Sequence, residues 1–272
     1  MNWHLNIPKI LHVYWGGGNL PYLRYMTVRS FINHNPDWEV YLWHPECMIT
    51  LKTDGICEDY LPELMKLSIK EMVFDATQYG FFGNMTPAQT SDLISYYALS
   101  TMGGVWADMD ILFIKSMTEL VVNSEINASK EVFVCISEFG HAIGFLMGSI
   151  GNDFFYNAFT LSRECLNPND WQSIGSKMLN TYYPTLGHVN NISPAVNIDM
   201  DSVYPYNWVQ VAELLKNESR ITKNTIGVHW YGGHPVWKEF YERTNGGLSN
   251  LSNSVIENLL KNESNNNNGN KT

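Results

Sequence analysis

Residues 86–114, TPAQTSDLISYYALSTMGGVWADMDILFI, decide how this chain folds. Thr86 offers a hydroxyl to cap a helix, Pro87 tolerates the first turn, and Gln89 stands where a capping-box partner belongs. From that start Leu93, Ile94, Tyr97, Ala98 and Met102 recur at helical spacing and make one apolar face. Gly103-Gly104 ends the helix. Val105-Trp106-Ala107 and Ile111-Leu112-Phe113-Ile114 then read as strand on both sides of Asp108-Met109-Asp110. In extended backbone, residues i and i+2 point to the same side, so Asp108 and Asp110 can aim two carboxylates at one divalent cation. Hard oxygen ligands suit Mg²⁺ or Mn²⁺.

Upstream, residues 9–15 (KILHVYW) form a short strand that stops at Gly16-Gly17-Gly18, and an amphipathic helix begins at Pro21 with Leu23, Met26, Val28 and Phe31. Residues 38–43 (WEVYLW) follow the Asn35-Pro36-Asp37 turn as a second strand, and residues 57–80 read as helix and irregular connections. Alternating β and α elements predict an α/β sheet. Downstream the pattern predicts strands at 131–137 and 144–150, helices at 153–166 and 170–181, and short strands near 195–204 and 225–230. The pattern D-x-D recurs at Asp199-Met200-Asp201. The first copy follows a capped helix, a Gly-Gly break and an apolar strand, which places it at a strand's C-terminal end, where open α/β sheets bind ligands. The second copy has no such lead-in and is read as surface.

The chain has 272 residues, 44% hydrophobic and 13% aromatic, enough to bury a large core. Its 17 Lys and Arg against 27 Asp and Glu leave a net charge of -10, which removes general attraction to nucleic acid or an anionic membrane surface. No apolar run reaches membrane-spanning length, and the N-terminus lacks a signal-peptide core, which predicts a soluble, cytoplasmic protein. Cys47, Cys57, Cys135 and Cys165 are scattered without metal spacing and read as reduced structural thiols. The final Asn-rich residues, NESNNNNGNKT, read as a solvated tail.

The segment SDLISYYALSTMGGVWADMD (91–110) resembles the DxD region of glycosyltransferase family 32, the sugar-binding DxD type, of which the clostridial glucosylating toxins are distant relatives. A second anchor is IPKILHVYWGGGNLP (7–21), followed by a helix and NPDWEVYLW (35–43), similar to that family's opening strand and nucleotide-base pocket. The resemblance implies that Trp15 stacks on the base, with Tyr14 and Gly16 beside it, and that Asp92 binds ribose or donor sugar. Asp108 and Asp110 match the metal and diphosphate motif. Where the family has an Arg three residues after that first Asp, this chain has Ser95, so Ser95 or its neighbour Tyr96 is left to contact the donor by a hydroxyl. The late segment GVHWYGGHPVW (227–237) resembles the family's C-terminal His and Trp segment. It implies His229 as first and His234 as second candidate for the third metal ligand, with Trp230 and Trp237 stacking on the acceptor or stapling a loop.

The fold implied is GT-A: an α/β, Rossmann-like mixed sheet flanked by helices. A nucleotide-sugar-binding half, 1–115, and an acceptor-binding half, 116–262, would form one domain, followed by a disordered tail at 263–272. The activity implied is a metal-dependent (Mn²⁺ or Mg²⁺) retaining transfer of a hexose from a nucleotide sugar, a UDP-sugar first, to a hydroxyl of a glycan or lipid-linked glycan. Two other readings share the same residues: a toxin-like protein glycosyltransferase, and a binding protein that has lost turnover, which Ser95 keeps open.

Overall fold

A computed structural model describes residues 3–46, 58–83, 85–122, 128–244 and 254–269. Strand β1 (Ile10–Tyr14) leads into helix α1 (Tyr22–His34), strand β2 (Glu39–Pro45), the single turn α2 (Leu61–Leu64), and strand β3 (Ile69–Phe74). Helix α3 (Pro87–Thr101), strands β4 (Gly104–Ala107) and β5 (Ile111–Phe113), and helix α4 (Met117–Val122) carry the deciding stretch and its sequel. The rest is β6 (Val132–Ser137), β7 (Gly140–Gly148), α5 (Asp153–Cys165), α6 (Ser176–Tyr182), α7 (Leu186–Asn190), β8 (Ala195–Asn197), β9 (Gly227–His229), α8 (Pro235–Thr244) and α9 (Val255–Gly269).

Seven strands make one mixed sheet in the order β3-β2-β1-β4-β7-β6-β8, and β5 pairs with β9 in a second, two-stranded sheet. In the large sheet β1, β2, β3 and β4 are parallel, and only β7 opposes its neighbours. This sheet runs across both halves of the chain. The order reverses direction between β1 and β4, and the carboxyl ends of these strands open a crevice there.

Alternation along the strands builds two apolar layers. Leu11, Val13, Val105 and Ala107 pack toward Val28 and Phe31 of α1. Tyr14 and Trp106 pack on the other face with Leu93, Ile94 and Leu99 of α3. A third cluster joins Leu23 and Met26 of α1 to Leu112, Val228, Trp230, Trp237 and Phe240. The small sheet is thereby fixed against the N-terminal helix.

Helix α3 starts as its sequence predicts. Thr86 Oγ1 accepts from Gln89 N at 3.2 Å and Gln89 Oε1 accepts from Thr86 N at 2.8 Å. At its end Gly103 adopts φ +63°, and a Cβ there would lie 2.8 Å from Ile150 N, so glycine is required by both backbone and space.

Several expectations change. The region 57–80 contains β3, an edge strand whose Lys70 and Glu71 face solvent beside Glu39 and His44 and so hide its strand character. The helix predicted from 170 starts at Ser176. The strand near 195 ends at Asn197, before a 3₁₀ turn at Met200–Ser202. Helix α9 continues through Gly269, so the segment expected as a tail from 263 is helical over its described part. Glu263 is buried there and its carboxylate holds His34 Nε2 at 2.8 Å. Cys135 and Cys165 are free thiols; Cys47 and Cys57 lie outside the described residues. No described helix is long and apolar enough to cross a membrane.

Candidate functional site

The crevice at the β1/β4 switch point is a cleft of about 830 Å³. Tyr14, Trp15 and Gly16 enter it from the end of β1, Asp92 from the second turn of α3, and Asp108 and Asp110 from the turn after β4. His229 reaches it from the end of β9.

The two aspartates do not lie on one continuous strand. β4 belongs to the large sheet and β5 to the small one, and a turn closed by Ile111 N donating to Asp108 O (3.3 Å) connects them. The carboxylates converge because the chain changes sheets between them. The register Ile111↔His229 of the β5–β9 pair then sets His229 beside Asp110. Ligating atoms of Asp108, Asp110 and His229 all lie within 4.8 Å of one another.

Asp110 is the best-held member. Its Oδ2 accepts from Gly232 N at 2.6 Å, and its backbone carbonyl accepts from Trp230 N at 2.8 Å. Its Oδ1 lies 3.1 Å from His229 Nε2 yet is buried without an aligned hydrogen bond. Burial works to raise the Asp110 carboxyl, but the charge and contact of His229, together with the charge of Arg24 and the Gly232 N–H, outweigh it and hold the group below the usual carboxylate range. Asp108 goes the other way: burial, then the charge of Asp110, push it up to about 6. Such a pair is electrostatically incomplete. Two carboxylates and an imidazole, with an orphaned buried oxygen among them, fit a divalent cation such as Mn²⁺ or Mg²⁺.

The surroundings leave room for an ion. A Cβ on Gly144 would lie 2.9 Å from Asp108 Oδ2, and 3.2 Å from both His229 Nε2 and Tyr204 Oη. The Tyr204 hydroxyl is buried without a partner. Tyr231 adopts φ +50°, a left-handed conformation that costs energy for a bulky side chain. Its ring stands 4.1 Å from the His229 ring, nearly perpendicular, and the bend delivers Gly232 N to Asp110.

Asp92 has its carboxyl against Gly175, where a Cβ would fall 2.3 Å from Oδ2. Burial first, then the charge of Asp108, raise it well above the ordinary carboxylate range. Trp15 is 7% exposed, with Nε1 donating to Gly18 O at 3.1 Å. The Tyr14 hydroxyl is packed against Gly16 and pushed up to about 12 by burial.

Other candidates are placed elsewhere. Ser95 is buried with its hydroxyl on Asp92 O at 2.7 Å, and Tyr96 is fully buried with its hydroxyl on Ile174 O at 3.1 Å. Neither lines the cleft. Each residue along α3 descends about 1.5 Å, so these positions sit roughly a turn below the rim that Asp92 occupies. Trp230 and Trp237 are buried on each other at 5.1 Å and staple the loop, with Trp237 Nε1 donating to Trp230 O at 2.5 Å. His234 Nδ1 accepts from Val236 N at the start of α8, and its ring packs on Trp208 at 4.7 Å. Asp199 and Asp201 are exposed, and Asp199 only caps its own turn. The sequence reading missed Arg24, Gly144, Trp171, Tyr204 and Trp208, all of which line the cleft. Trp171 and Trp208 are 60% and 49% exposed. None of the five carries a local sequence signal, and the exposure of Trp171 and Trp208 appears only in the fold.

Residues 23–132 match the family model described as "Glycosyltransferase sugar-binding region containing DXD motif". No curated protein matches the chain. Among solved structures, the glycosyltransferase GlyE of Streptococcus pneumoniae TIGR4 is 13% identical with a TM-score of 0.50, covering 95% of this chain and 64% of its own. The chain thus spans under two thirds of GlyE. The PaToxG glycosyltransferase is 15% identical over 68% of this chain and 73% of its own, with a TM-score of 0.47. The galactosyltransferase LgtC is 12% identical over 94% and 95%, with a TM-score of 0.45. At such identities the likeness is one of fold. Over residues 23–132 the chain is therefore similar to a glycosyltransferase sugar-binding region containing a DXD motif, and its fold is of the GT-A type.

Proposed function

We propose that this chain is a metal-dependent, retaining glycosyltransferase that moves a hexose from a nucleotide sugar, a UDP-sugar, to a hydroxyl of a free or lipid-linked glycan in the cytoplasm. The observation that carries the reading is the convergence of Asp108, Asp110 and His229 on the floor of a cleft that opens at the carboxyl ends of β1 and β4. The net charge of -10 supports a small anionic donor held locally over any extended polyanion.

Asp108, Asp110 and His229 would hold the cation, which when bound supplies positive charge and Lewis acidity beside the donor diphosphate. Trp15, at the end of β1 and followed by glycines that let a ligand approach the backbone, stacks on the nucleotide base. Asp92, lining the cleft from the second turn of α3, hydrogen-bonds a sugar hydroxyl. The loop at Tyr231–Gly233 orients Asp110 through the Gly232 N–H. No side chain in the cleft is assigned as a nucleophile. The acceptor hydroxyl attacks on the face the nucleotide leaves, the bond to the donor phosphate breaks, and the departing phosphate oxygen takes the hydroxyl proton.

The test is nucleotide release from a panel of UDP- and GDP-sugars by purified protein, with Mn²⁺ and with EDTA. Release should require metal, vanish in Asp110→Asn, and persist in Asp201→Asn. Equal loss from both substitutions would overturn the choice of Asp108-Met109-Asp110 as the working motif. Absence of both release and nucleotide binding would overturn the transferase reading itself.

A further inference from the structure

We propose that Arg24 is the cationic contact of the cleft, gripping the phosphates of a nucleoside diphosphate while wedged between the indoles of Trp15 and Trp230. The proposal deepens the reading above and rests on it.

Among the described residues that line the cleft, Arg24 is the one lysine or arginine. It sits in the first turn of α1, directly after the glycine bend that follows Trp15. Its guanidinium carbon lies 5.5 Å from the Trp15 ring centroid and 5.5 Å from that of Trp230. Both indoles are themselves anchored, Trp15 through its hydrogen bond to Gly18 O and Trp230 by packing on Trp237. A cation between two aromatic faces is attracted to both and keeps its donor edges free. Arginine suits this arrangement, because its planar fork stacks on rings and presents paired N–H groups to oxygen anions.

Space at Gly232 agrees. A Cβ there would fall 2.7 Å from an Arg24 terminal nitrogen and 2.8 Å from the Trp230 ring. The same glycine donates its N–H to Asp110. Arg24 therefore lies between the aromatic at the base end of the cleft and the loop that holds the carboxylates. A diphosphate joining a stacked base to the Asp108, Asp110 and His229 cluster must pass this point.

The charge is not spent on protein. Among the described residues the guanidinium has no carboxylate within ion-pair distance, and the acids that feel its charge are Asp108 and Asp110 on the cleft floor. Ser95, which stands where the family has an arginine, lies outside the cleft and donates its hydroxyl to Asp92 O. A fixed cation facing two floor carboxylates across open space is completed by a ligand whose anionic oxygens lie between them.

The experiment is calorimetric titration of wild type, Arg24→Gln and Arg24→Lys with UDP, GDP, uridine, guanosine and inorganic pyrophosphate, each with Mn²⁺. The diphosphate that wild type prefers should bind Arg24→Gln about 10- to 100-fold more weakly, as expected for loss of a charge-assisted contact, with its parent nucleoside changed less than about threefold. Arg24→Lys, which keeps charge and stem but loses the fork, should fall between them. It also serves as the folded variant if Arg24→Gln loses its melting transition. A purely structural wedge would weaken nucleoside and diphosphate equally; that result, or an unchanged diphosphate affinity, overturns the proposal. Wild type that binds neither UDP nor GDP removes the transferase reading, and pyrophosphate then decides Arg24 separately: Arg24-dependent binding supports it, and no binding overturns it.

Discussion

Replacing Asp108 by Asn should make the metal-free protein more stable at neutral pH while removing its response to metal. The Asp108 carboxyl is raised from an ordinary 3.8 to about 6, by burial first and by the Asp110 charge second. A shift of that size corresponds to about 3 kcal/mol, at roughly 1.4 kcal/mol per pKa unit. Its sign follows from proton linkage: the folded form binds the proton more tightly than the unfolded chain. Asp108 is therefore neutral in its effect below about pH 3.8 and becomes progressively destabilising as pH rises to 6. Above 6 the full penalty applies, and near pH 5 about half of it remains. Asn is uncharged and keeps an oxygen for the Trp106 indole, which now donates to Asp108 Oδ1 at 3.1 Å. Its amide N–H₂ needs partners in turn, which lowers the net gain to about 1–2 kcal/mol, or roughly 2–4 °C in melting temperature for a chain of this size. Thermal melts at pH 5 and pH 7.5, in EDTA and in Mn²⁺, read all of this without any substrate. Wild type should gain from Mn²⁺ at pH 7.5 and less at pH 5, where a proton competes for Asp108. The variant should melt higher than wild type in EDTA at pH 7.5, lose that advantage toward pH 5, and ignore Mn²⁺. A variant that melts lower by the same amount at both pH values, or that keeps the wild-type Mn²⁺ shift, would refute the account of an electrostatically incomplete carboxylate pair.

Two further outcomes follow from geometry. Gly144→Ala places a methyl 2.9 Å from Asp108 Oδ2 and 3.2 Å from His229 Nε2, so Mn²⁺ affinity, read from the concentration dependence of the melting shift, and turnover should both fall at least about 10-fold with the fold retained by circular dichroism. An unchanged metal response would move the ion away from this face of the cluster. Trp171→Ala and Trp208→Ala remove half-exposed rings at the cleft and should cost under about 1 kcal/mol of stability. In kinetic assays, acceptor KM should rise about 10-fold while metal-dependent donor hydrolysis stays level; a parallel loss of hydrolysis would place these rings on the donor instead.

What was legible beforehand concerns short-range physics. The Thr86–Gln89 cap, the Gly103-Gly104 break, the strand before the glycine bend and the exposure of Asp199 and Asp201 all come out as the residues imply. His229 was reached from a late His and Trp segment, and it stands with Asp108 and Asp110. The misses have physical reasons. β3 opens Ile, Lys, Glu because it lies at a sheet edge, which leaves only Met72-Val73-Phe74 as an apolar run, too short to read as a strand. Ser95 and Tyr96 share the face of α3 that carries Asp92, but their depth along the axis turns them from the rim into the core. Of the two roles open to Trp230 and Trp237, stacking on an acceptor or stapling a loop, their buried pairing matches the second.

The sequence by itself therefore determined the class of fold and the ends of its central helix, because caps and glycine turns act between residues a few positions apart; it also singled out the two carboxylates, on a strand alternation that a turn between two sheets replaces. Tertiary structure alone decided what those carboxylates meet. Gly232, which holds Asp110, is 122 residues away along the chain, and it arrives only because β5 leaves the large sheet to pair with β9. Arg24 is likewise an unremarked helix residue until the Trp230 indole, from far along the chain, closes on it opposite Trp15. Contacts of that range depend on how layers pack and on which charges burial leaves unpaired, and no local pattern encodes them.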